Sequence, residues 1–295
     1  EILGISPFGV DAPMRQLDRH LPGHAFAKSI VDIALWDLFG QAAGLPLYAL
    51  LGGRTHKDMP LYHSITCIAP DEMARIAREA YATGIRQFQV KLGTDADPSA
   101  DAERLIKVRE AVGPGPLVYG DWNCGASKLH ATRTGRAVAH LDIMLEQPCK
   151  RLEDCAAVRQ ATGLPMKIDE GAHDLASLMR AAELGVLDAV ALKLSKFGGL
   201  SAMRRARDLT VHLGAEICAE CTWGSDIATA ASLHFAASTP QGALLNTCDL
   251  SSYVGPRVAP DCPVRHNGRI APPDGAGLGV TPDLDVLGPP VLELE

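Results

Sequence analysis

Short runs rich in Val, Ile and Leu recur along this chain at nearly even spacing, and a helix-compatible stretch follows each of them. They run from Pro60 to Ser64, Phe88 to Leu92, Leu117 to Asp121 and Ile143 to Glu146, then from Met166 to Asp169, Ala189 to Lys193, Ala215 to Glu220 and Ala243 to Asn246. Pro70, with Asp71 and Glu72 behind it, opens one of the intervening helices. Asp174 to Leu184 and Leu200 to Leu213 carry apolar residues at helical spacing. Eight strands alternating with seven helices require parallel strands joined by crossovers. Such strands are buried on both faces and need no polar alternation. Closing them predicts an α/β barrel of the (β/α)₈ type. The competing arrangement is an open doubly wound sheet, but no Gly-x-Gly-x-x-Gly follows the first strand. Outside the barrel, Ala25 to Ala43 predicts one helix, ended by Gly44-Leu45-Pro46. The tail from Ser251 is rich in Pro and Gly and predicts a wrapping segment.

The 295 residues are enough for one large core, and 47% of them are hydrophobic. The formal net charge is −7, so nucleic acid and anionic membranes are not expected partners. No run of eighteen apolar residues is present. The chain opens Glu1-Ile2-Leu3-Gly4, without Met or a signal-peptide pattern, which predicts a piece whose natural start lies upstream. A cytoplasmic homo-oligomer is expected. The eight cysteines contain one C-x-x-C pair, Cys218 and Cys221, at a strand end. Reduced, partly buried thiols are the expectation.

The predicted strand ends carry ionisable residues in register: Lys91, Asp121, Glu146, Asp169, Lys193 and Glu220. Their separations of 30, 25, 23, 24 and 27 residues each span about one strand-helix unit. All six therefore belong at the C-terminal mouth, the face where barrel enzymes keep their sites. Converging charges cost too much unless a ligand or a metal compensates. Asp121, Glu146 and Asp169, from three consecutive strands, cannot all stay ionised without a cation. An all-oxygen set suits a hard ion, Mg²⁺ or in its place Mn²⁺. Lys91 and Lys193 belong to the second and sixth strands, opposite in a ring of eight. A metal that binds a substrate carboxylate stabilises the enediolate formed when the α-proton leaves. Two opposed lysines can take that proton from one face and return it on the other.

At these residues the chain resembles the enolase superfamily, in its mandelate racemase and muconate-lactonizing branch. The resemblance is carried by Ala27-Lys28-Ser29-Ile30-Val31-Asp32-Ile33-Ala34-Leu35-Trp36-Asp37-Leu38 and by Gly44-Leu45-Pro46-Leu47-Tyr48. It is also carried by Leu50-Leu51-Gly52-Gly53, Val90-Lys91-Leu92-Gly93, Asp121-Trp122-Asn123, Glu146-Gln147-Pro148, Asp169-Glu170 and Leu192 to Gly199. It implies a modified (β/α)₇β barrel over residues 58–250. Residues 1–57 would then be the end of an N-terminal α+β capping region, most of it missing, and residues 251–295 a segment returning to that cap. It also implies metal ligation by Asp121, Glu146 and Asp169, with Lys91 and Lys193 as bases and Lys196 outside the motif. Gln89 stands where the family usually has a further lysine. Within the branch, the segments around Lys91, Glu146 and Trp223 resemble hydroxyproline-betaine epimerases and cis-3-hydroxyproline dehydratases.

Five more residues are candidates for substrate contact or for support of the site: Asn123, Glu170, Glu220, Trp223 and Asp226. Trp223 either offers an indole face to a ring or quaternary ammonium or packs at the rim. Asn123 either serves a metal-bound water or caps a loop. Glu220 orients Lys193, bonds substrate or forms a plain ion pair. Lys28 and Asp32 are expected to pair along their helix. The leading expectation is a Mg²⁺-dependent racemase or epimerase of a proline-type amino acid or betaine, a small carboxylate. A dehydratase sharing its first step is the second reading. A Schiff-base aldolase barrel is a third, although it needs no set of three carboxylates.

Overall fold

The computed structural model describes residue 4 and residues 6–253 and 255–292; the remaining termini of the expected segments 1–57 and 251–295, with residue 254, lie outside them. Eight parallel strands stand side by side in chain order: β1 (His63–Ile65), β2 (Gln87–Lys91), β3 (Leu117–Asp121), β4 (Ile143–Glu146), β5 (Met166–Ile168), β6 (Ala189–Lys193), β7 (Glu216–Glu220) and β8 (Leu244–Thr247). A parallel bridge between Leu61 and Thr247 returns β8 to the start of the sheet. Across the same seam the Asn246 amide donates to the Gln87 side chain at 2.6 Å. The seven crossovers carry the helices Pro70–Ala82, Pro98–Val112, Lys128–Val138, Leu152–Thr162, Leu175–Glu183, Leu200–His212 and Asp226–Ala237. This is the expected (β/α)₇β barrel.

The first predicted run divides. Met59–Pro60 leaves the barrel and pairs antiparallel with Arg269–Ile270 of the tail. Pro60 lacks a ladder donor, which suits it to a short edge ribbon and not to the ring. The tail is a wrapping segment, as its composition predicts. Leu278 N donates to Asp37 Oδ1 at 2.7 Å, and Gly277 N to Leu45 O at 3.0 Å.

Successive side chains on each strand point to opposite faces. Val118, Leu145, Ile168 and Ile217 face outward into the apolar layer under the helices, with Leu105 and Val108 opposite them. The residues between them face inward. Tyr62, Tyr119, Met144, Cys218, Cys221, Cys248 and Leu250 form a separate, smaller cluster. All eight cysteines are free thiols, six of them buried.

The helix Ala25–Ala43 has its predicted bounds, but the expected Lys28–Asp32 pair does not form. Lys28 Nζ reaches Asp18 at 2.6 Å. Asp32, fully buried, accepts from Ser201 N at 3.0 Å, at the start of the helix Leu200–His212. Unsatisfied N–H groups at a helix start are better partners for a buried carboxylate than a lysine on its own helix. A Cβ on Gly199 would lie 2.3 Å from Asp32 Oδ2, so glycine is required for this approach. Among the described residues no helix is long and apolar enough to cross a membrane.

Candidate active site

Register places the strand-end charges. Lys91 is paired with Asp121, Asp121 with Glu146, and Lys193 with Glu220. Glu146 is paired with Lys167, so Asp169 stands two residues further along its strand, nearer the mouth. Asp121, Glu146, Asp169 and Glu220 are all buried. Each candidate lysine is held by a carboxylate. Lys91 Nζ lies 2.5 Å from Asp121 Oδ2 and donates to Asn123 Oδ1 at 3.0 Å. Lys193 Nζ lies 2.6 Å from Asp169 Oδ2 and 3.3 Å from Glu220 Oε2. Both lysines line one cleft with Tyr62, Ser64, Glu220 and Trp223. A larger groove of about 660 Å³ opens beside the helix Pro70–Ala82, against residues 265–268, but none of the strand-end charges lines it.

The electrostatics are dense. Burial, then the Asp121 carboxylate, pushes Glu146 up to about 8 against the pull of Lys167. Burial alone would raise Asp169 too, but Lys196 and Lys193 hold it below the usual carboxylate range. Burial would lower Lys193, yet Glu220, Asp169 and Glu146 outweigh it and hold the ammonium well above the ordinary lysine range.

Two further lysines and an amide complete the site. Lys196, expected outside the motif, donates to Asp169 Oδ1 at 2.9 Å and to Ala191 O at 3.0 Å. Lys167 is wholly buried, 3.0 Å from Glu146 and 3.2 Å from Glu220. Gln89 donates to Glu146 Oε2 at 2.8 Å and Asp121 Oδ2 at 3.0 Å, and Ser64 Oγ donates to Gln89 Oε1 at 2.8 Å. Four carboxylates thus face four lysines. Sequence reasoning passed over Lys167 and treated Gln89 only as a missing lysine. The signal was available: each lies two residues before a strand-end charge, hence on the same inward face.

The three proposed metal ligands stand on adjacent strands, but their side chains do not surround one point. Among the described residues no three His, Cys, Asp or Glu side chains are grouped to hold an ion. Asp169 turns both carboxylate oxygens toward lysines, while Gln89 bridges the other two. Two observations still fit this set to a hard divalent cation. Its donors are all carboxylate oxygens, as Mg²⁺ prefers. In addition, Glu146 Oε1 is buried without a hydrogen bond, its close neighbour being Lys167 Nζ at 3.0 Å, so an acceptor is left for an ion.

The other candidates divide. Asn123 Oδ1 accepts from Lys91, and its amide donates to Glu170 Oε1 at 3.2 Å, so Glu170 stands behind Asn123. Trp223 is 60% exposed at the cleft, with its ring edge-on to Tyr253 at 5.9 Å, so it is not a packed core aromatic. Thr222 and Trp223 are consecutive left-handed residues after β7, as Asn123 and Cys124 are after β3. Such strain in non-glycine residues collects at functional sites. Asp226 is a correction: it is buried and accepts from Arg257 Nε at 2.6 Å, Val258 N at 2.9 Å and Ala259 N at 3.1 Å. It anchors the tail, because those backbone donors would otherwise be buried without acceptors.

Comparison with known proteins agrees with the fold. Residues 72–286 match the family described as enolase C-terminal domain-like. Residues 1–52 match the mandelate racemase/muconate lactonizing enzyme N-terminal domain. This chain belongs to the enolase superfamily, in its mandelate racemase and muconate-lactonizing branch. Over 290 residues it is 39% identical to a cis-3-hydroxy-L-proline dehydratase of Roseibium aggregatum, covering 98% of this chain and 78% of the relative. It is 30% identical to an N-succinyl-L-Arg/Lys racemase of Bacillus cereus, over 80% of this chain and 65% of the relative. An enolase-superfamily member from Roseovarius nubinhibens, solved with magnesium, superposes with a TM-score of 0.93 at 34% identity, covering 98% of this chain and 79% of that one. For this superfamily barrel, both dehydration and racemisation are thus represented among relatives.

Proposed function

We propose that this enolase-superfamily enzyme removes the proton α to the carboxylate of a proline-type substrate, and that loss of a β-hydroxyl completes a dehydration. The observation that carries the first step is the meeting of Lys91 and Lys193, from strands two and six, in one cleft beside buried carboxylates. The dehydration outcome rests on the 39% identity to a cis-3-hydroxy-L-proline dehydratase, and it moves ahead of the epimerisation that the sequence put first. Epimerisation is the second reading, favoured by the same pair of lysines and by the racemase relative.

Asp121, Glu146 and Asp169 would hold the divalent cation. When bound, that cation supplies Lewis acidity toward the negative charge that develops on the substrate carboxylate. Lys91 and Lys193 do the proton work at Nζ. In dehydration one lysine takes the α-proton and the other gives a proton to the departing hydroxyl. In epimerisation it returns the proton to the opposite face of Cα. Asn123 aims Lys91, and Glu220 aims Lys193. Trp223 provides an aromatic wall for a ring or its ammonium.

The test is incubation with Mg²⁺ in D₂O and a panel of proline derivatives, followed by NMR. Unsaturated product from a 3-hydroxyproline supports dehydration. Deuterium at Cα with inversion supports epimerisation. Absence of both across the panel, with a borohydride-trapped lysine adduct in their place, would leave the aldolase reading standing.

A further inference from the structure

We propose that Lys167 is a positioning residue that fixes Glu220, and through Glu220 the ammonium of Lys193, from inside the barrel. Lys167 has no solvent exposure and does not border the cleft that Lys91 and Lys193 share. It lies one inward-facing position below Asp169, level with Glu146 across the β4–β5 ladder. Its Nζ is 3.0 Å from Glu146 Oε1 and donates to Glu220 Oε1 at 3.2 Å. Cys218 Sγ donates to the same Glu220 oxygen at 3.0 Å. One Glu220 oxygen is thereby anchored from below, and the other is left 3.3 Å from Lys193 Nζ. The Lys167 ammonium also lies 4.7 Å from the centre of the Tyr119 ring and 5.5 Å from that of Tyr62.

Burying an ammonium is costly before pairing, and an apolar side chain would fill this volume at lower cost. What an apolar side chain cannot do is tie a carboxylate on β4 to one on β7. On the Lys91 side the corresponding tie is an uncharged amide: Gln89 joins Asp121 and Glu146 by hydrogen bonds. Lys91 is held by Asp121 and Asn123, and the neighbouring interior residue, Gln89, is neutral. The barrel floor is therefore asymmetric and serves the sixth-strand lysine.

This inference rests on the reading that Lys91 and Lys193 move the α-proton, so the test includes a measurement that does not. Lys167→Met is made in the full chain. Solvent-deuterium exchange is followed for each enantiomer of a proline substrate, after Lys91→Ala and Lys193→Ala have assigned each enantiomer to its lysine. Lys167 also touches Glu146, so the Lys91-dependent exchange reports the loss common to both arms. The Lys193-dependent exchange is expected to fall about 10-fold further than it, since small misplacements of a reacting group are costly. Independently of turnover, reductive methylation of the metal-free protein mapped by mass spectrometry should show a changed rate at Lys193, whose Glu220 partner has lost its anchor, and an unaltered rate at Lys91. Gln89→Lys with Lys167→Met moves the cation to β2, at the position whose side chain touches Glu146 and Asp121 and makes no hydrogen bond to Glu220 in the structure. This variant is expected to restore thermal stability and not the Lys193 arm, and it supplies the measurement if the single variant fails to fold. Equal loss in both arms, unchanged labelling of Lys193, or full recovery by the relocated cation would overturn the proposal. If wild type exchanges neither enantiomer, the functional reading fails, and the labelling still decides the role of Lys167.

Discussion

The inside of the barrel and the layer around it are made from the same strands, yet they obey different rules. Outward residues such as Val118, Leu145 and Ile168 join one continuous apolar layer under the helices. Inward residues one step away are Tyr119, Glu146 and Lys167; Lys167 pairs with Glu146 and lies over the Tyr119 ring, while the Tyr119 hydroxyl and Glu146 Oε1 have no hydrogen bond. The outer layer is held by apolar burial, which is non-directional and tolerant of sequence. The interior is held by ion pairs and hydrogen bonds that contribute little net stability and demand exact partners. Stability thus belongs to one face of each strand and chemistry to the other.

Substitutions on the two faces should therefore separate activity from stability. The largest effect belongs to the interior. Glu146→Gln should lower kcat/KM by about 10³-fold or more if the carboxylate holds the cation, because a metal's charge stabilisation is worth several kcal/mol. Its melting temperature should hardly move, since burial and Asp121 already push Glu146 up to about 8. Calorimetric titration with Mg²⁺ and a thermal melt check both halves, and unchanged Mg²⁺ affinity would remove Glu146 from the metal set.

Next come the lysines. Lys91→Ala and Lys193→Ala should each cost about 10²–10⁴-fold in turnover, the usual worth of general acid–base catalysis. In an epimerase each variant keeps exchange of one enantiomer with D₂O. In a dehydratase the lysine that takes the α-proton is needed for exchange, and the other only for loss of the hydroxyl. Single-turnover NMR of the two variants distinguishes these patterns.

The outer layer should answer in the opposite way. Leu105, fully buried there, should cost about 2–5 kcal/mol of stability as Leu105→Ala. Activity per folded molecule should be retained, and denaturant unfolding with an activity assay below the transition is the check. A comparable loss of kcat in the folded fraction would break the separation of faces.

The smallest effect is a pH dependence of the outer layer. His234 is buried in the helix Asp226–Ala237, where Nδ1 accepts from Tyr48 N at 3.3 Å and Nε2 donates to Leu278 O at 3.0 Å. Burial lowers it to about 4, from about 6.5 in the unfolded chain. Above 6.5 the residue is neutral in both states and costs nothing. As pH falls from 6.5 toward 4 the unfolded chain gains a proton that the folded one refuses, so stability falls by up to about 3 kcal/mol. His234→Gln should flatten that part of the stability–pH curve, as read by urea unfolding across the range. An unchanged slope would assign the acid sensitivity to other groups, such as His63, which burial also lowers to about 4.

Strand order, the seven crossovers and the six strand-end charges could be read from the sequence, because period and spacing are local properties of the chain. β3, β4, β6 and the helix Ala25–Ala43 keep their predicted bounds. The tertiary structure decided who pairs with whom. Asp226 and Asp32 look like any other carboxylates in the sequence, yet they go to the tail backbone and to a distant helix start. Lys196 looked peripheral, yet a short helix after β6, Leu194–Phe197, folds it back onto Asp169. Register set Lys167 beside Glu146 and lifted Asp169 two residues above them. The physical reason is that the side of a strand is fixed by a period of two, while partners across the barrel depend on the stagger between strands. That stagger is set only when the whole ring closes.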